Sequence, residues 1–238
     1  MAEFNSMRST IQSGASVGID SGLRTHMNKV YGLMAVAMVI TGLVAWSIGT
    51  SPQLVGALFS NSIISLIVMF APLGFVFFLS ARVMKMSYSA GQLSFWLFSA
   101  LMGLSLSTIF VVYTGASIAN AFFTTAIAFG AMSLFGYTTK KDLSGMGRFL
   151  FMGVIGLIVA MIINWFTQSP GLEFAINVLG VLIFAGLTAY DTQKIKNMYL
   201  AGDNNEAAGK KSVLGALTLY LDFILMFQFL LMFLGNRE

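Results

Sequence analysis

The chain has 238 residues, of which 57% are hydrophobic and only 9% charged, against roughly a quarter charged in an ordinary soluble domain. With a mean hydropathy of +0.84 there are too few Lys, Arg, Asp and Glu to coat a surface of this size, which excludes a water-soluble globule and leaves most of the surface to lipid. The absence of Cys excludes disulfides and thiolate chemistry, and the formal charge of +4 points either to nucleic acid or to membrane topology, according to where the basic residues lie.

Residues 1–28 are rich in Ser, Gly, Thr and Asn with no apolar period, so the reading is a mobile polar N-terminal tail ahead of one transmembrane domain, 29–238. It does not read as a signal peptide, because the first apolar run, Tyr31 to Ile48, is long enough to stay in the membrane. Further spans are expected at 54–80, 92–113, 117–136, 148–166, 174–200 and 213–234. Nothing in them alternates as a barrel strand would, so all seven are helices. Pro72 is expected to kink the second. The expected fold class is an all-α polytopic membrane protein with seven transmembrane helices.

Orientation follows from the basic residues. Arg8, Arg24 and Lys29 precede the first span; Arg82 and Lys85, then Lys140, Lys141 and Arg148, then Lys194, Lys196, Lys210 and Lys211 fall in or beside alternate connections. That places 12 of the 13 on one side, with only Arg237 opposite. The positive-inside rule makes the N-terminus cytoplasmic and, with seven spans, the C-terminus external. Topology thus accounts for the net charge, and no nucleic acid partner is expected. Trp46 and Trp165 fall at expected outer ends and Trp96 at an inner one, where amphipathic rings prefer to sit. Ser99, Gly103 and Ser107 form a small-residue ladder for close helix packing, as do Ala126 and Gly130; Asn61, Asn120 and Asn164 read as interhelical hydrogen bonders.

Seven of the nine acidic residues lie in tails or loops, and two do not. Asp191 stands near the end of the sixth span and Asp222 inside the seventh, where an ionisable group costs at least ~2.5 kcal/mol and usually faces a bundle interior or a water-filled path. If the sixth helix ends near Leu200 and the seventh begins at Val213, each acid is nine residues, roughly 13 Å, from the same edge, so antiparallel neighbours bring them to one level. Two such carboxylates do not both ionise cheaply and are suited to holding a proton or a cation. Asn177, Thr188 and Thr218 lie on matching faces as a polar path and offer oxygens to a hard cation such as Ca²⁺, for which Asp191 and Asp222 are the candidate metal ligands. Arg82, at the end of the kinked second helix, is the candidate latch that pairs with one Asp until protonation releases it. The plainer alternative is a buried polar cluster that only sets helix register.

Other chemistries are disfavoured. The seventh span has no Lys for a retinal Schiff base. No His falls within an expected span to serve an intramembrane serine protease, His26 reading as a tail residue, and no HExxH, phosphate loop or Cys cluster occurs. The expectation is a non-enzyme without a resident cofactor.

The segments Gly186-Leu-Thr-Ala-Tyr-Asp-Thr-Gln193 and Ala216-Leu-Thr-Leu-Tyr-Leu-Asp-Phe-Ile224, with seven spans and a polar tail, resemble bacterial members of the Bax inhibitor family over essentially the whole chain. The resemblance implies a seven-helix fold with the last helix central and surrounded by the other six. It also implies a pH-sensitive calcium leak in which Asp191 and Asp222 are the proton-sensing pair and Arg82 is the latch. Leu225 and Met232 stand where many members carry an Asn and an Arg, which removes a polar group from the path. The implied location is the bacterial inner membrane. The implied partners are the lipid bilayer, protons and Ca²⁺. Another class of function is a regulatory protein that binds other membrane proteins, such as a membrane protease, through its helix faces or its tail. A proton-coupled solute transporter is disfavoured, since no internal repeat or interrupted helix pair is evident.

Overall fold

The computed structural model describes residues 2–236, with side chains from Ser21 onward. Among the described residues there are nine helices: α1 (Ala2–Gly49), α2 (Pro52–Phe59), α3 (Ser62–Arg82), α4 (Tyr88–Leu106), α5 (Ile109–Val112), α6 (Gly115–Thr138), α7 (Ser144–Thr167), α8 (Pro170–Asn197) and α9 (Asn205–Leu234). Seven segments are long and apolar enough to cross a membrane: Ser21–Gly49, Ser62–Arg82, Tyr88–Val112, Gly115–Thr138, Ser144–Thr167, Pro170–Asn197 and Asn205–Leu234. The chain is therefore an all-α polytopic protein. The connections α3–α4, α6–α7 and α8–α9, with basic residues in them or in the helix turns beside them, lie at one end of the bundle, called here the basic end.

Local chemistry explains where the helices depart from the apolar runs. The run 54–80 splits at Asn61, whose side chain accepts from the backbone N–H groups of Ile63 and Ile64 and so starts α3. Asn164 likewise closes α7 by accepting from the Ser169 N–H, beside Gln168, the one non-glycine residue with positive φ (47°) among those described. Asn120 is exposed, so none of the three Asn bridges helices as expected. The turn expected over 201–212 is shorter, because Asn204 caps α9 through the Ala207 N–H.

The expected polar tail lies mostly outside the described side chains. Its last residues do not fit that description: Ser21–Asn28 continue α1, and His26, read above as a tail residue, is 6% exposed. Its Nδ1 is 3.3 Å from the Ser212 hydroxyl, and its ring lies 6.0 Å from that of Tyr199. A His does therefore sit inside a spanning segment beside a Ser. Ser212 is only 1% exposed and its hydroxyl donates to the Ala208 carbonyl, so the pair is a packed contact between α1 and α9.

The last helix is central, as expected, and it is the most deeply buried span. Its neighbours are α8, α1, α6 and α4, whereas α3 packs on α4 and α7 on α8, so four helices line it and two stand outside. Glycine decides how closely helices approach. A Cβ at Gly103 would lie 2.6 Å from the Thr41 carbonyl oxygen, one at Gly136 2.1 Å from the Ala189 carbonyl oxygen, and Gly130 has open space above it. The ladder through Gly103 is thus a real α1–α4 contact. The one through Ala126 and Gly130 is not such a contact: Ala126 packs only in part against the core and Gly130 meets nothing, since α6 packs through Ala121, Thr125, Phe129, Ser133 and Gly136. Trp46 and Trp165 are exposed at the far end, but Trp96 turns inward, its Nε1 shut from solvent without a partner.

Candidate functional site

Asp191 is 8% and Asp222 5% exposed. Asp191 belongs to the buried stripe Phe184, Leu187, Thr188, Asp191 and Ile195 that α8 turns inward, at the three- and four-residue spacing of one helix face. Asp222 is buried because α9 is enclosed on nearly every side. Register comes from two close approaches: Gly215 faces Ile195, and Gly180 faces Phe229. Antiparallel pairing then sets Asp222 level with residue 188, about one turn (~5 Å) deeper than Asp191. The two acids are neighbours across the α8–α9 contact, though not at one level, because α8 ends at Asn197 and α9 begins at Asn205 rather than at the residues expected.

Both acids line a single cavity of about 680 Å³ between α7, α8 and α9. It exists because α7 packs on α8 and leaves a gap towards α9. Gly147 lies against the Tyr190 ring and Gly186 against Leu150, which draws α7 and α8 together on one side only. Asp222 Oδ2 is buried without a hydrogen-bond partner. The nearest cation to Asp191 is Lys194, whose Nζ is 4.0 Å from Oδ1. Arg148 also lines the cavity at its basic end.

The other expected residues divide. Thr218 lines the cavity, its hydroxyl donating to the Leu214 carbonyl at 3.0 Å. Thr188 is fully buried with its hydroxyl bonded to the Phe184 carbonyl, and it does not face the cavity. Asn177 is 14 residues, roughly 21 Å, along α8 from Asp191, and lines a separate cavity of about 250 Å³ with Asn164 and Glu173. Arg82 is not brought to the acids. It is exposed at the end of α3, α3 is held against α4, and Arg82 is not among the residues that line the cavity. The cation beside Asp191 is Lys194, one turn along the same helix.

Two hydroxyl networks and one side-chain amide, missed in the sequence, hold the acids in place. Tyr220, two residues before Asp222, has its phenol 2.6 Å from Thr41 Oγ1, and Thr41 donates in turn to the carbonyls of Ala37 and Ser99. Thr192, next to Asp191, is 3.0 Å from the Ser133 hydroxyl, which is hydrogen-bonded to the Tyr31 phenol. On the α6–α7 connection, Gln193 accepts from the Leu143 N–H and donates to the Lys141 carbonyl, both at 2.8 Å. Their signal in the sequence is weak: single Ser, Thr and Tyr residues in apolar runs, whose partners only the fold reveals. Among the described residues no group of three or more His, Cys, Asp or Glu side chains is poised to hold a metal. The cavity therefore supplies two carboxylates and few other oxygens, against the six to eight that a resident Ca²⁺ takes.

Comparison with known proteins gives a consistent result. Residues 23–238 match the family described as "Inhibitor of apoptosis-promoting Bax1". The chain is 49% identical over 220 residues to the inner membrane protein YbhL of Escherichia coli (strain K12), covering 92% of this chain and 94% of that one. It is 45% identical to protein RP147 of Rickettsia prowazekii (92% of each chain), and 44% identical to a Caulobacter vibrioides protein over the full length of both.

Proposed function

This chain belongs to the Bax inhibitor family, and we propose that it is a pH-responsive cation leak of the bacterial inner membrane that passes Ca²⁺, with Asp191 and Asp222 as its proton-sensing pair. The observation that carries this reading is the shared cavity, where two acids from adjacent helices meet and Asp222 Oδ2 has no partner. Two carboxylates facing one poorly solvated space repel when both are ionised, so a proton or a passing cation between them is favoured. Ca²⁺ acts here as cargo: with so few protein oxygens available it keeps part of its water shell as it passes. The cation that responds is Lys194. Protonating Asp191 frees Lys194 within α8 and ends the repulsion between Asp191 and Asp222 across the α8–α9 contact, which changes how the two helices pack there. The basic end faces the cytoplasm by the positive-inside rule, and the Escherichia coli relative bears the name of an inner membrane protein.

The test is Ca²⁺ entry into liposomes that hold the purified chain and a trapped fluorescent indicator, measured from pH 5 to 8. A pH-dependent flux is expected, with the dependence flattened in Asp191→Asn and Asp222→Asn and displaced in Lys194→Gln. Arg82→Gln should follow the unaltered chain. Flux absent at every pH, or unchanged in both Asn variants, overturns the reading.

A further inference from the structure

The cavity between α7, α8 and α9 has a polarity gradient that an inorganic ion does not use. Arg148, Lys194 and Asp191 stand towards the basic end and Asp222 lies deeper, while Phe151, Met152, Val154, Phe184 and Leu225 form apolar walls beyond it. Two of those wall residues, Phe151 and Met152, are 64% and 62% exposed on the outer face of α7, so the cavity wall is continuous with the lipid-facing surface between α7 and α9. At about 680 Å³ its volume falls in the range of small-molecule sites, which are mostly apolar with a few placed polar groups.

The charges select the ligand. Lys194 already stands beside Asp191, and Arg148 is exposed at the mouth. Asp222 is the acid left without a cation: it lines the cavity, is 5% exposed and has an oxygen that accepts nothing. A buried carboxylate is best matched by a cation that donates hydrogen bonds, and the walls beyond it are best matched by an alkyl chain. We propose that this cavity is a lateral-entry binding site for a membrane-borne alkyl ammonium, its head on Asp222 and its chain along the apolar walls towards the α7–α9 gap. The site is the one assigned above to the proton-sensing pair, but ligand binding is independent of whether Ca²⁺ passes.

Radiolabelled dodecylamine binding to the full chain in phosphatidylcholine nanodiscs, with empty discs as background, tests this without reading flux. Saturable binding at about one amine per chain is expected, weakened about tenfold or more by Asp222→Asn and similarly by Leu225→Trp, which fills the cavity, but only a few-fold by Asp191→Asn. Dodecanol, with the same chain and no charge, should compete at least tenfold less well. Equal competition by dodecanol, or binding unchanged in a monodisperse Asp222→Asn protein, overturns the proposal. So does stronger binding of dodecanoate than of the amine, which would make the site an anion site on Arg148 and Lys194. Should Asp222→Asn fail to fold, unchanged binding in Leu225→Trp overturns it equally.

Discussion

Replacing Gly136 by Ala tests the α6–α8 contact that positions Asp191. A Cβ at Gly136 would lie 2.8 Å from the Ala189 carbonyl carbon and 2.9 Å from its Cα, about half an ångström short of the 3.4 Å at which ordinary contact begins, and 2.1 Å from its carbonyl oxygen, more than an ångström short. The obstacle is backbone, which has no rotamer to escape into, so α6 and α8 must separate by about that distance. Overpacking of this kind costs ~1–3 kcal/mol, offset by the ~1 kcal/mol that Ala gains over Gly in a helix interior, and the upper part of the range applies because backbone is struck. The net expectation is a loss of about 1–2 kcal/mol. The control is Gly130→Ala on the same helix, where no atom lies within 4 Å and only the helix-propensity gain remains. Thermal unfolding of both variants in the same detergent reads the difference, with Gly136→Ala melting lower than the unaltered chain and Gly130→Ala no lower. Two variants of equal stability would refute the close approach. Because Asp191 is two residues from Ala189, Gly136→Ala should also disturb the pH response of Ca²⁺ flux, whereas Gly130→Ala should leave it alone.

The remaining predictions concern hydrogen bonds. Thr41→Val leaves the buried Tyr220 phenol without its 2.6 Å partner and is expected to cost about 1–3 kcal/mol; Tyr220→Phe costs about 1 kcal/mol, since Thr41 keeps its two carbonyls, and the double variant should lose less than the two together. Stability of the three variants by thermal unfolding checks the pairing, and strict additivity would count against it. At the basic end, outside the spans, hydrogen bonds from the Ser144 side chain and backbone hold Asp142 below its ordinary value of 3.8. A lowered carboxylate stabilises the fold above its ordinary range, and that contribution is lost as pH falls through the lowered value. Hydrogen exchange at the first-turn amides of α7 should therefore quicken at acid pH relative to the rest of the helix, and this pH dependence should be missing in Asp142→Asn.

The extreme composition made the membrane class legible before any fold was known. So few charged residues leave no soluble solution, and apolar runs of this length must become helices that satisfy their own backbone groups. The same scarcity singled out Asp191 and Asp222, because an acid at membrane depth is conspicuous where almost no others occur. Their meeting was also foreseeable in outline, as short connections make consecutive helices antiparallel neighbours. Arg82 shows where that reasoning stops: its place at a helix end was correct, but the partner of that helix is α4, and nothing in the run Ser62–Arg82 encodes that choice. Asn177 and Thr188 lie on faces compatible with Asp191 by spacing alone, yet one is roughly 21 Å away along the helix and the other bonds its own backbone.

One-dimensional pattern thus determined the class of the protein, its span count and its two unusual acids, because these follow from transfer free energies that each residue carries with it. Tertiary structure decided which cation stands beside Asp191, the register that sets Asp222 a turn deeper, and the gap between α7 and α9 that becomes a cavity. Those depend on which glycines let two backbones touch, as Gly136 does against Ala189 and Gly130 does not, and such contacts are properties of pairs of helices that no single segment contains.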